Sequence, residues 1–278
     1  MPIFILAGGL GTRISEESEL KPKPMIEIGG IPILVHIMRH YYAFGFDDFI
    51  ICAGYRSLQI KKFFGDYALH LNDVEVDQRK GSRSRGLRVI GRTPEQEQWR
   101  VRVLETGLHS MTGARLAQAI DKIQSIEPFE HFGMTYGDGL CNVNLRDELN
   151  FHLSHGQVGT VLGVKNHARF GEIDVTDECR VSGFLEKPQS RQGYISGGFF
   201  FFTKAFRNYL SQENETVLER EPLVRLASDG QLCIYKHSDF WYSMDTLRDK
   251  LHLQELWDSG SAPWLKYCSR GQCLKEAA

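Results

Sequence analysis

Apolar positions recur along the chain in two periods. Residues 3–6 are a continuous apolar run that stops at a glycine turn, which predicts a buried strand. Residues 32–44 place Leu34, Ile37, Met38 and Tyr41 at helical spacing, and residues 48–53 form a second apolar run ending at Gly54. Residues 58–67 return to the helical period. Strand, helix, strand, helix in so short a span predicts βαβ units on a largely parallel sheet. Strands follow at 74–79, 87–89 and 99–104 around a polar stretch at 80–97. Residues 112–126 carry Leu116, Ile120 and Ile123 on one helical face, and 132–136 predict a strand that breaks at Gly137 and Gly139. The second half is β-rich, with strands at 158–164, 173–175, 181–184 and 194–203. Helices at 218–228 and 245–257 and an irregular tail from about residue 259 close the chain. No internal repeat or low-complexity linker interrupts this pattern, which predicts a single α/β domain.

Composition narrows the function classes. The 278 residues carry 33 Lys+Arg against 35 Asp+Glu, a formal net charge of −2. That balance argues against nucleic-acid or anionic-membrane binding, which calls for a basic excess. The six cysteines are scattered without a CxxC pair, so neither a disulfide scaffold nor a zinc site is expected. No apolar run approaches the roughly 18–20 residues of a spanning helix. The first residues lack the basic region of a signal peptide. A cytoplasmic location is the expectation.

The strongest chemical signal is Leu6-Ala7-Gly8-Gly9-Leu10-Gly11-Thr12-Arg13, directly after the first strand. Its glycines let the backbone come close to a ligand and aim several N–H groups at one set of phosphate oxygens. Arg13 adds a guanidinium fork suited to phosphate. Ten residues on, Lys21-Pro22-Lys23-Pro24 holds Lys23 between two prolines, which stiffen it. The turn is not a P-loop, because GxxxxGK[ST] is absent, and Ile14 stands where a dinucleotide fingerprint needs its third glycine. Two aspartates suit a divalent ion. Asp138 sits between glycines at the end of a buried strand, and Asp245 follows the aromatic run Phe240-Trp241-Tyr242. Spacing alone leaves a plainer reading equally open, with Asp138 as a turn former and Asp245 as a helix cap. Arg115, one turn into a helix, is electrostatically unhelpful there unless it meets an anion. Its plainer reading is a surface arginine.

Taken in order, Leu6–Arg13, Lys21-Pro-Lys-Pro-Met25, Ser110-Met-Thr-Gly113, Tyr136-Gly-Asp-Gly139 and Phe240-Trp-Tyr-Ser-Met-Asp245 resemble the sugar-1-phosphate nucleotidylyltransferases, and within them the glucose-1-phosphate cytidylyltransferase group. The likeness runs from Ile3 to about Trp264. It implies a nucleotidyltransferase domain over residues 1–264 with a tail over 265–278. The implied architecture is Rossmann-like α/β, of the nucleotide-diphospho-sugar transferase kind, with a mixed, mostly parallel sheet flanked by helices. The implied reaction joins CTP and a sugar 1-phosphate, releasing pyrophosphate. By resemblance Mg²⁺ sits on Asp138 and Asp245, Lys23 lies near the α-phosphate, and Arg13 with the turn amides meets the outer phosphates. Lys23, Arg13 and Asp138 then carry the chemistry. The same resemblance places Leu6 to Arg13, Thr106, Gly113, Arg115 and Gly137 around the nucleotide. It places Gly171, Glu186, Lys187, Ser196, Gly197 and Gly198 around the sugar phosphate, and it implies a homo-oligomer.

The chain departs from the group's pattern at three places. Ser196-Gly-Gly stands for Asn-Gly-Gly, Glu172 for a small residue, and Trp241-Tyr-Ser-Met-Asp245 for an aromatic-x-Pro-Met-Asp. Exchanging a bidentate amide for a hydroxyl changes which sugar hydroxyls can be satisfied. The acceptor therefore stays open between glucose 1-phosphate and another sugar phosphate, a polyol phosphate or a phosphonate. A non-catalytic nucleotide-binding homologue is a further alternative, against which Lys23, Asp138 and Asp245 all stand. Other features read as structural. Residues 80–92 form a basic run without interleaved aromatics, so a surface loop is preferred to RNA binding. His36 and His40 lie four apart on a helix but lack the HExxH glutamate, so packing is preferred to a metal.

Overall fold

The computed structural model describes residues 1–11, 14, 21–77, 86–90, 97–165, 172–175, 181–185 and 193–268. Side chains at 71, 86, 87, 90, 172–175 and 181–185 lie outside that description. Fifteen strands are found among the described residues. Those in four two-stranded ribbons are β2 (Glu27–Ile28) with β3 (Ile31–Pro32), β5 (Asp73–Asp77) with β6 (Gly86–Ile90), β9 (Gly139–Cys141) with β15 (Trp241–Ser243), and β11 (Glu172–Val175) with β12 (Val181–Leu185). The rest form one sheet: β1 (Pro2–Ala7), β4 (Asp48–Ala53), β7 (Arg100–Glu105), β8 (His131–Tyr136), β10 (Gly159–Val164), β13 (Ile195–Thr203) and β14 (Leu232–His237). Their order is β14-β10-β13-β8-β1-β4-β7, and β13 alone runs opposite to the others.

Helices cover both faces of this sheet. They are α1 (Ile33–Tyr42), α2 (Ser57–Gly65), α3 (Tyr67–Leu71), α4 (Thr112–Ile126), α5 (Leu145–His155), α6 (Glu221–Ser228) and α7 (Leu247–Asp258). The strands alternate between two cores, which is why β1 reads as continuous apolar sequence. Ile3, Ile5, Phe199 and Phe201 face α1, α5 and α7, whereas Phe4, Leu6, Phe200 and Phe202 face α4 and α6.

Several expectations shift by a turn, each for a visible reason. The helix predicted from 218 starts only at Glu221, because Pro222 fits the first turn of a helix and not its interior. The helix predicted from 245 starts at Leu247, because Thr246 caps it. The predicted irregular tail is pinned at Trp264, which is 1% exposed and donates its Nε1–H to His36 Nδ1 at 3.3 Å. His36 uses its other nitrogen on Ile28 O at 2.9 Å. Both ring nitrogens are thus engaged in packing, and burial pulls the pKa of His36 down to about 4. The described cysteines Cys52, Cys141 and Cys233 are free thiols. No helix among the described residues is long and apolar enough to cross a membrane.

Candidate active site

The sheet's register gathers the distant motifs at one edge. Leu6 of β1 pairs in parallel with Tyr136 of β8, so the glycine turn and Gly137-Asp138 leave the sheet side by side. Ligands of open α/β sheets bind at this carboxyl edge. β13 runs antiparallel to β8, with Phe199 opposite Thr135, which delivers Ser196, Gly197 and Gly198 to the same place. The β9–β15 ribbon then sets Gly139 opposite Ser243, and the Met244 amide donates to Asp138 O at 2.9 Å. Asp138 and Asp245 flank that ribbon, so its pairing brings the two carboxylates together.

Lys23 enters from a third segment. Pro22 is extended, and Lys23–Met25 form a single 3₁₀ turn. Pro24 packs on Gly137, where a Cβ would lie 2.9 Å from the proline Cγ. Gly137 is therefore needed for the approach of this turn. The buried Lys23 Nζ donates to Asp138 Oδ2 at 2.6 Å and to Asp245 Oδ1 at 2.9 Å. Asp138 does lie in the turn between β8 and β9, whereas the plainer reading of Asp245 as a helix cap fails. Thr246, not Asp245, caps α7, in a reciprocal capping box with Asp249. Asp249 Oδ2 also accepts from the Asp245 amide at 3.0 Å, fixing the backbone that carries the second carboxylate.

Two carboxylates on one cation are the donor set Mg²⁺ uses when phosphates and water complete its shell. No group of three or more His, Cys, Asp or Glu suited to a metal occurs among the described residues. The pair around Lys23 therefore fits a divalent ion shared with a substrate and does not fit a closed, all-protein cage.

Beside this pair opens a cleft of about 250 Å³, lined by Asp138, Asp245, Ser196, Gly197, Gly198 and Trp241 among others. Gly198 holds φ at +77°, and a Cβ there would lie 2.7 Å from the Tyr136 ring. Trp241 donates its Nε1–H to Gly197 O at 2.6 Å, tying the β15 ribbon to the glycine pair. On the rim, the Tyr136 hydroxyl donates to Glu219, which also accepts from Thr112 Oγ1 at 2.8 Å. Trp241, Asp249 and Glu219 were not anticipated. The aromatic run is a sequence signal for Trp241, and Thr246-x-x-Asp249 has the spacing of a capping box.

The glycine turn divides its labour. Leu6 and Ala7 are core residues whose contribution to the edge is backbone: Leu6 O accepts from the Gly137 amide at 3.0 Å. Gly9 faces open space, Leu10 is exposed, and Gly11 turns the chain at φ +68°. At Gly8 a Cβ would sit 2.2 Å from the Arg115 guanidinium. Arg115 is neither the surface arginine nor the open phosphate ligand expected. It is 4% exposed, and its guanidinium is spent on backbone carbonyls of this turn and its neighbours. Thr106 is likewise 1% exposed, with Oγ1 donating to Ala53 O at 2.8 Å and accepting from Arg115 Nη1 at 2.9 Å. Both side chains thus stand behind the turn, engaged with backbone carbonyls. Gly113 changes meaning too. A Cβ there would lie 2.8 Å from Thr216 Cγ2, and its amide donates to Thr216 O at 2.9 Å, so the residue makes room for the chain at Thr216. The expected Thr12, Arg13, Gly171, Glu186 and Lys187 lie outside the described residues.

The chain belongs to the nucleotidyl transferase family, whose sequence model matches residues 3–246, a span that holds Lys23, Asp138 and Asp245. Within that family it is 41% identical to a glucose-1-phosphate cytidylyltransferase from Salmonella typhi, over 95% of this chain and 98% of that protein. A mannose-1-phosphate guanylyltransferase from Mycobacterium tuberculosis is 28% identical over 88% of this chain and 61% of its own. Among solved structures, HddC from Yersinia pseudotuberculosis superposes with a TM-score of 0.61 at 19% identity, covering 92% of this chain and 99% of that one. The last of these bears on the fold alone.

Proposed function

We propose that the protein transfers CMP from CTP to α-D-glucose 1-phosphate, giving CDP-glucose and pyrophosphate. The observation that carries the reading is the Asp138–Lys23–Asp245 cluster at the sheet edge, beside a cleft lined by Ser196, Gly197 and Gly198. Similarity to a glucose-1-phosphate cytidylyltransferase over nearly the whole of both chains supports the choice of base and acceptor.

In this reaction a phosphate oxygen of the acceptor forms a bond to the α-phosphorus, and the bond to the bridging oxygen of pyrophosphate breaks. Phosphate is already a nucleophile at neutral pH, so the chain need not supply a general base. What it must supply is alignment and charge neutralisation between two polyanions. An ammonium has three donors; Lys23 Nζ rests on Asp138 and Asp245 and, displaced from them, can turn its donors on an α-phosphate oxygen. Asp138 and Asp245 would hold Mg²⁺, which supplies further neutralisation of the phosphates when bound. Gly9 and Gly11 keep the turn open to the outer phosphates, with Arg13 as their guanidinium partner. Ser196 and the Gly197–Gly198 backbone, with Glu186, Lys187 and Gly171, form the acceptor side. Thr12 belongs with the turn.

A second acceptor remains a live reading because two hydroxyls, Ser196 and Ser243, line the cleft where the related group has an amide and a proline. Pyrophosphate release tests both. CTP, UTP, dTTP, ATP and GTP are each paired with glucose 1-phosphate, other hexose 1-phosphates, polyol phosphates and phosphonates in Mg²⁺. Turnover is expected with CTP and glucose 1-phosphate. CTP turnover with a different acceptor selects the second reading, and no release with any pair overturns both.

A further inference from the structure

The cleft exists because one strand parts from another. β13 pairs with β8 only from Phe199 onward, and against β10 its register shifts between Val161 and Gly163, so that Gly197, Gly198 and Phe199 bulge out beside Leu162. Bulges of this kind re-aim side chains next to binding sites. Ser196 and the glycine pair stand off from β8, and Gly139, Trp241 and Ser243 of the β9–β15 ribbon line the gap with them.

Most polar side-chain atoms around this gap are already engaged. Trp241 gives its N–H to Gly197 O at 2.6 Å, Tyr136 gives its O–H to Glu219, and the Asp138 and Asp245 carboxylates hold Lys23. Thr135 is 1% exposed and turns its hydroxyl to Tyr136 O at 3.4 Å. Two hydroxyls remain, and they offer a ligand opposite halves of themselves. A hydroxyl has one proton to donate and lone pairs to accept with. Ser196 Oγ accepts from the Gly198 amide at 3.3 Å, and its own proton has no acceptor among the described residues. Ser243 is the converse: its Oγ donates to Asp245 Oδ2 at 3.3 Å, which leaves its lone pairs for the cleft it lines. The backbone fixes this orientation. The Asp245 amide donates to Ser243 O at 3.2 Å across the buried Met244, a three-residue turn that sets the two side chains together.

We propose that Ser243 determines acceptor specificity by accepting a hydrogen bond from one hydroxyl of the sugar phosphate while its own proton stays on Asp245. The proposal rests on the sugar-phosphate role proposed for the cleft. A ligand hydroxyl at that place completes a chain from sugar O–H to Ser243 to the Asp245 carboxylate, in which each bond polarises the next. A ligand without that hydroxyl displaces water from Ser243 and returns no donor, which is how a polar site rejects an analogue lacking one group. A Ser243 that served only to orient Asp245 would act on every acceptor alike.

Pyrophosphate release from CTP in Mg²⁺, with glucose 1-phosphate and its 2-, 3-, 4- and 6-deoxy analogues as acceptors, separates the two roles in wild type and Ser243→Ala. Wild type is expected to lose about tenfold in kcat/KM on the analogue whose missing hydroxyl faces Ser243. Ser243→Ala is expected to lose about tenfold on glucose 1-phosphate, chiefly through a higher KM for it, with the KM for CTP unchanged. On that one analogue the variant should match wild type, because the contact is already gone; the other analogues keep the hydroxyl and should fall with glucose 1-phosphate. An equal fall on all acceptors overturns the proposal and leaves Ser243 an orienting group for Asp245. Unchanged rates in Ser243→Ala overturn it too, as does a wild type indifferent to every deoxy position, a result that needs no variant to fold. Wild-type protein that turns over none of these acceptors overturns the sugar-phosphate reading itself, and the proposal with it.

Discussion

An ammonium between two carboxylates is an intramolecular occupant of a cation site, and at the residue scale Lys23 has two duties that compete. Its Nζ lies within hydrogen-bond distance of both Asp138 and Asp245, so a divalent ion on the same oxygens must push it aside, toward the cleft where the α-phosphate would lie. Lys23→Met is expected to bind Mn²⁺ more tightly than wild type in the absence of nucleotide, read by electron paramagnetic resonance of the free ion. The same variant is expected to lose roughly 10²–10³-fold in kcat, the usual scale for removing one preorganised charge from a transition state. Unchanged Mn²⁺ affinity would mean that the lysine and the metal do not share the site. Lys23, Asp138 and Asp245 stand in distinctive local contexts, with prolines on either side of one, glycines on either side of another and an aromatic run before the third, but only the family resemblance set the two aspartates apart from a turn former and a helix cap. Arg115, Thr106 and Gly113 are packed in ways that their spacing does not show. Spacing shows that a residue is near a motif but not whether it stands before or behind the backbone, and here the tight clearances at Gly8 and Gly113 decide.

At the scale of elements, the catalytic geometry rests on how α7 begins. Thr246 and Asp249 cap one another, and the same Asp249 oxygen accepts from the amides of Asp245 and Thr246 at 3.0 and 2.7 Å. Tyr242 adds a hydrogen bond to the other oxygen at 3.2 Å. Thr246→Ala and Asp249→Ala should each lower stability by about 1 kcal/mol, the ordinary value of a cap. Only Asp249→Ala also frees the Asp245 backbone, so it alone should cost about ten- to a hundredfold in kcat, as a small misplacement of a reacting group does. Parallel melts and initial rates check this; equal activity in the two variants would make the Asp249–Asp245 contact incidental. Elements with a clean period were legible: β4 and α4 coincide with the predicted 48–53 and 112–126. α5 was not, and its composition explains why. The buried face of Leu145–His155 includes Glu148 and His152 beside Leu145 and Leu149, so polar residues occupy positions where periodicity looks for apolar ones. β14 is an edge strand in which no side chain is fully buried, which leaves little apolar contrast to read.

For the whole molecule, those buried polar residues set the pH range of stability, and they act in opposite directions. Burial lowers the pKa of His36 and His152 to about 4 and that of His40 to about 3, from an unfolded value near 6.5. Their neutral forms are the ones the fold accepts, so their contribution is intact above about pH 6.5 and is lost as pH falls through 4 toward 3. His152 illustrates the cost of protonation: it lies 3.2 Å from His131 and 3.0 Å from Thr160 Oγ1, with no carboxylate in that chain. Glu148 has the reverse sign. It is fully buried with neither carboxylate oxygen hydrogen-bonded among the described residues, and desolvation raises its pKa to about 8 from 4.5. Its stabilising protonated form is complete below about pH 4.5 in both states, and the contribution is lost as pH rises through 8, where the folded protein must bury an anion. The molecule is thus squeezed from both sides, by histidines in acid and by one glutamate in base. Glu148→Gln keeps the shape of the neutral acid and removes the proton it can lose. The variant should melt close to wild type at pH 5. At pH 9 it should be more stable by an amount on the order of a few kcal/mol, since each pKa unit is worth about 1.4 kcal/mol. Melting curves of both proteins from pH 5 to 9 decide it. A difference that widens with pH, with its midpoint between 4.5 and 8, supports an uncompensated buried acid; a constant offset would show that Glu148 has a partner holding its charge.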